Sequence, residues 1–82
     1  MEKLRLNQLP LGGRAIVKSV GGDSPETASL ATKLREIGFA EGDHVALLHR
    51  GPFGGRTLAI GLNAAMVALR DLEASVIEVQ PI

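Results

Sequence analysis

The sequence predicts a mainly β fold: a small barrel of roughly five short strands with one inserted α-helix. Three observations carry that expectation. Ten glycines in 82 residues cut the apolar runs into short elements. Stretches such as Thr57 to Leu62 alternate with the period of a strand, placing Leu58, Ile60 and Leu62 on one face. A single stretch, from Pro25 to Ile37, has helical spacing instead. Short strands joined by glycine turns favour closure into a barrel, which leaves no long unpaired edge.

Taken in order, Gly12-Gly13 is a turn and Arg14 to Val20 is the first long strand. Its alternation is imperfect: Ala15 and Val17 fall on one face, Ile16 and Val20 on the other. Gly21-Gly22-Asp23 ends it, and Ser24-Pro25-Glu26 starts the helix. Ser24 can accept a bond from an otherwise unpaired amide. Pro25 suits the first helical position, and Glu26 sits at the positive end of the dipole. Leu30, Leu34 and Ile37 form one apolar stripe with Ala31 beside it, expected to cover one end of the barrel as core rather than interface. Gly38 can adopt the left-handed conformation that closes a helix. A strand from Val45 to Leu48, the glycine-rich loop Arg50–Arg56 and the strand Thr57 to Leu62 follow. Asn63 marks a turn, Ala65 to Leu69 a short strand, Arg70 to Ala74 a single helical turn, and Val76 to Val79 the closing strand.

Length and composition exclude more than they assign. The chain, residues 1–82, reads as one domain that buries only roughly 60–65% of the surface its unfolded form exposes. Nine basic and nine acidic residues are interspersed, giving a net charge of zero. That balance offers no long-range attraction to nucleic acid or anionic lipid. Without cysteine there is neither a disulfide framework nor a thiolate metal site. No apolar run approaches the ~20 residues that span a bilayer. Residues Met1 to Asn7 lack the apolar core of a signal peptide, which makes cytoplasm the expected location.

Three segments in fixed order resemble the FeoA family: Leu9-Pro10-Leu11-Gly12; Leu34-x-Glu36-Ile37-Gly38-Phe39 followed by Glu41-Gly42; and Ala68-Leu69-Arg70-x-x-Glu73-Ala74 before the last strand. The resemblance covers most of the chain, from Leu9 to Val79. It implies an SH3-like barrel and a small accessory or regulatory protein of bacterial ferrous-iron uptake. It also implies a partner, the cytosolic part of a FeoB-type membrane transporter with a GTP-binding domain, and neither catalysis nor transport by this chain. A different reading is a KOW-like barrel contacting RNA or the transcription machinery, since Glu41 to Val45 and the Gly51 to Gly55 loop resemble that motif. Zero net charge and the absence of Trp and Tyr oppose it.

No residue pattern announces catalysis or a cofactor. The serines lack a nucleophile-elbow context, no phosphate loop is present, and Glu36, Glu41 and Asp43 read as a solvated turn. His44 and His49 are the two histidines. Odd spacing within one strand points them to opposite faces unless a bulge intervenes, so no metal site is expected inside one molecule. The partner-binding candidates are Arg50, Pro52, Phe53 and Arg56. An aromatic at a glycine-rich tip between two arginines has the composition of a docking anchor. The alternative is that Phe53 folds back to plug the barrel, as Phe39 does after the helix.

Overall fold

The computed structural model describes residues 4–21, 24–51 and 56–82. Pro52 and Phe53 lie outside them. The elements run β1 (Leu4–Arg5), a 3-10 turn (Leu6–Gln8), β2 (Arg14–Val20), α1 (Pro25–Ile37), β3 (His44–Arg50), β4 (Thr57–Leu62), β5 (Ala65–Arg70), α2 (Asp71–Ala74) and β6 (Ile77–Pro81). The strands form one antiparallel sheet of six in the order β1-β6-β2-β3-β4-β5. The sheet curls around a core that includes Leu6, Leu9, Ala15, Val17, Leu47, Leu58, Ile60, Leu69 and Ile77.

Two β-bulges explain why the sequence alternates imperfectly. In β2 the register against β6 shifts between Val17 and Ser19. The bulge turns Lys18 and Ser19 outward together and returns Val20 to the core side, opposite Ile77. The sequence had placed Val20 on the face away from Val17; both are buried. In β3 the register against β4 shifts between Leu47 and His49. Leu47 and Leu48 point to opposite faces, but His49 then stays outward opposite Ala59 and Arg50 turns inward opposite Leu58. Each bulge adds one residue that no partner opposes and sharpens the local bend, which a small curled sheet needs.

Helix α1 has the boundaries its sequence signals. Ser24 has extended backbone, its Oγ accepts from the Thr27 amide at 3.2 Å, and Thr27 Oγ1 accepts from the Ser24 amide at 3.0 Å. This reciprocal cap satisfies two otherwise unpaired groups. At the other end Gly38, with φ 130°, lets both its own amide and that of Phe39 bond Leu34 O at 3.1 Å. Ser24→Ala should therefore cost about 0.5–2 kcal/mol. A chemical denaturation midpoint indistinguishable from wild type would rule the cap out as a contributor.

The apolar stripe divides by depth. Leu34 and Ala31 are fully buried, Leu30 is half-buried against the core, and Ile37 is 43% exposed. Ile37 is thus not a core residue. Phe39 is buried and is among the largest side chains fully within the core. Among the described residues the strand ladder does not close into a continuous ring: β1 and β5 end the sheet order, and β5 is an edge along its length. The helical turn α2 follows β5 directly, with the Arg70 amide donating to Glu73 Oε1 at 2.7 Å.

Candidate partner interface

Four elements meet at the base of the Arg50–Arg56 loop. The Gly51 amide donates to Thr57 O at 2.7 Å. An added Cβ on Gly51 would lie 3.0 Å from that oxygen, so glycine is needed for the close approach of the two strands. The bulge in β3 swings Arg50 to the core side, where its Nη2 donates to Asn7 O at 3.1 Å and Leu9 O at 3.3 Å. One guanidinium thereby ties the 3-10 turn to the end of β3. Arg56 is exposed and its carbonyl accepts from the Asp71 amide at 2.7 Å, while Asn7 Nδ2 donates to Asp71 Oδ1 at 3.2 Å. The loop therefore leaves from a base stitched to both the N-terminal turn and α2. Arg50 and Arg56 are brought to one end of the molecule but do different things there: Arg50 is committed to backbone carbonyls, and Arg56 faces solvent.

A second surface went unread in the sequence. Between α1 and β5–α2 lies an open groove of about 570 Å³, lined by Leu30, Ile37, Ala68, Leu72 and the Lys33–Glu73 ion pair, 3.4 Å apart. Leu72 is 62% exposed. The signal for it was available: a lone leucine among charged residues in Arg70-Asp71-Leu72-Glu73 cannot be buried by a single helical turn that already buries Ala74. Contiguous exposed apolar side chains rimmed by charge are the usual mark of a docking surface.

The histidines do not come together. Because of the bulge both lie on the outer face of β3 and both are exposed, so the face argument from odd spacing does not hold. Distance separates them instead, since five residues of strand span roughly 16 Å. Among the described residues no group of three or more His, Cys, Asp or Glu side chains converges as a metal site would require. Near His44 the outer face carries a smaller hollow of about 480 Å³. Its floor is Gly61, over which Leu48 lies at van der Waals distance from where a Cβ would stand. No helix among the described residues is long and apolar enough to cross a membrane.

Comparison with known proteins fits this architecture. The FeoA domain model matches residues 4–81. No curated protein matches the sequence. Among solved structures, the zinc complex of FeoA from Stenotrophomonas maltophilia is 35% identical, with a TM-score of 0.80 over 94% of this chain and 89% of that one. It is described as a prokaryotic SH3 domain protein and a candidate activating factor of bacterial ferrous-iron transport. A FeoA-like protein from Clostridium acetobutylicum shares the fold at 21% identity, with a TM-score of 0.85 over all of this chain and 90% of that one. A manganese-dependent transcriptional repressor shares the fold over 98% of this chain but 42% of its own, at 20% identity and a TM-score of 0.79. The six-stranded sheet with its one long helix is thus an SH3-like fold, and the family is an accessory family linked to ferrous-iron transport rather than a known enzyme family. With the match running from the first described strand into the last, this chain belongs to the FeoA family.

Proposed function

We propose that this protein is a small regulatory subunit of bacterial ferrous-iron uptake, docking from the cytosolic side on a FeoB-type transporter near its GTP-binding domain. The observation that carries the reading is the family match over residues 4–81. Exposed apolar groups on a chain of balanced charge support a docking role over a catalytic one. The protein needs no resident metal for this; ferrous iron is the transporter's cargo.

The contact proposed is the Arg50–Arg56 loop. Phe53 inserts in a pocket of the partner, Pro52 and the glycines hold the tip in shape, and Arg56 pairs with acidic groups at the rim. Arg50 supports the loop from its base through the carbonyls of Asn7 and Leu9. Truncating a buried aromatic anchor costs at least ~2 kcal/mol, roughly thirty-fold in affinity. Arg56→Ala should change association rate and salt dependence more than equilibrium affinity.

The test measures binding of wild type, Phe53→Ala and Arg56→Ala to the soluble domain of the transporter, after each variant is shown to keep its melting transition. Arg50→Ala is unsuitable as a rim probe, because it disturbs the N-terminal turn. A folded Phe53→Ala that binds unchanged moves the interface away from the loop, and Leu72→Asp in the α1–β5–α2 groove then becomes the deciding variant. If no form binds the transporter domain, the docking reading itself fails.

A further inference from the structure

Strand β5 is the last strand of the sheet, and among the described residues no strand pairs with its open side, which α1 flanks only across an open groove. Its six residues, Ala-Met-Val-Ala-Leu-Arg, pair with β4 in unbroken register. No charge, proline or bulge interrupts it before Arg70. Natural sheets blunt their edges with lysine, proline, bulges, brevity or a covering element; the opposite edge, β1, has two residues among those described.

The two-residue turn Asn63-Ala64 fixes which backbone groups are free. Leu62 and Ala65 flank the turn as a hydrogen-bonded pair, so by alternation Ala65, Val67 and Leu69 address β4. Met66, Ala68 and Arg70 turn their N–H and C=O to the open side. Glu73 Oε1 already takes the Arg70 amide. The N–H and C=O of Met66 and Ala68 have no partner among the described residues.

We propose that this edge is a self-association surface, on which a second copy of the chain adds its own β5 antiparallel about a two-fold axis through Val67. In that register Met66 of each copy lies opposite Ala68 of the other, and their outward N–H and C=O groups close into four hydrogen bonds. The side chains are complementary in the same alignment. Met66, 70% exposed, meets a small alanine on the outer face, and half-buried Val67 meets its own counterpart on the core side. Charge agrees as well: residues 61–69 carry none, and the chain is neutral overall, so like charges do not meet at the seam. The groove beside Ala68 and Arg70 leaves room for the incoming turn. A second copy is favoured over an unrelated segment because the free groups satisfy themselves under the two-fold.

A seam of this length falls at the low end of interface size, so the dimer is weak, with a Kd on the order of 100 μM. Sedimentation equilibrium of the full chain, from about 10 μM to about 1 mM, should show the mass rise from one chain towards two. Amide exchange at Met66 and Ala68 should slow over the same range. Met66→Lys adds the charge that guards natural edges at an exposed position, and should weaken association by about tenfold or more without moving the melting transition at low concentration. Ala68→Pro removes an N–H that faces the seam rather than β4 and should act likewise; if it unfolds the chain, Met66→Lys decides alone. Leu11→Lys, at an exposed position in the turn before β2, three strands from the edge in the sheet order, should leave the mass unchanged. A single-chain mass throughout, or a dimer that Met66→Lys does not weaken, overturns the proposal.

Discussion

Leu34→Ala should lower the unfolding free energy by about 2–5 kcal/mol, the largest effect expected of a single side chain in α1. Leu34 is fully buried, and its carbonyl also accepts the two amides that close the helix. Truncation leaves a cavity where the helix meets the sheet, and an 82-residue chain has little room to collapse around it. Against a total of about 5–15 kcal/mol for a domain, the loss is a large fraction. Ile37→Ala, one turn away on the same stripe but 43% exposed, should change stability by about 0.5 kcal/mol or less. Urea denaturation reads both as shifts of midpoint at constant slope. If the two variants lose stability equally, the stripe is uniformly packed and the division by depth is wrong.

Arg50→Ala comes next, at about 1.5–3 kcal/mol. Hydrogen bonds from a charged donor contribute in this range, and removing the donor strands two carbonyls that are partly shielded from water. Nη2 of Arg50 reaches both Asn7 O and Leu9 O, so the 3-10 turn should loosen with it. The expected signature is a lower melting temperature together with faster amide exchange across residues 6–9 and little change in α1. Arg50→Lys should rescue only in part, because a single ammonium on a flexible stem does not reproduce a planar guanidinium fixed in place. Arg56→Ala, at an exposed position, should leave stability within about 0.5 kcal/mol. Unchanged exchange across residues 6–9 in Arg50→Ala would show that Arg50 does not clamp the 3-10 turn.

These two arginines illustrate what could be read in advance. Both flank the same glycine-rich loop, and from the sequence they are equivalent. What separates them is one extra residue in β3, which reverses the facing of His49 and Arg50. No local residue type signals that bulge. The same holds for Val20, whose return to the core depends on a bulge in β2, and for the histidines, which share a face for the reason that turns Arg50 inward. Pro52 and Phe53 are outside the described residues, and the role proposed for them rests on residue type and family.

The elements were legible because their signals are local. A serine cap, a proline at the first helical position and a closing glycine define α1 from its own thirteen residues and the two that flank them. Alternation and turn residues likewise define β2, β4 and β5. The ordered segments Leu9 to Gly12, Leu34 to Gly42 and Ala68 to Ala74 also carried the family. Only the tertiary structure decided how those elements face one another: which stripe residue is core, which arginine is a clamp, and which strand is left with an open edge. Each depends on pairing register between segments far apart in the chain. A one-residue shift there exchanges inside for outside while leaving local propensity untouched.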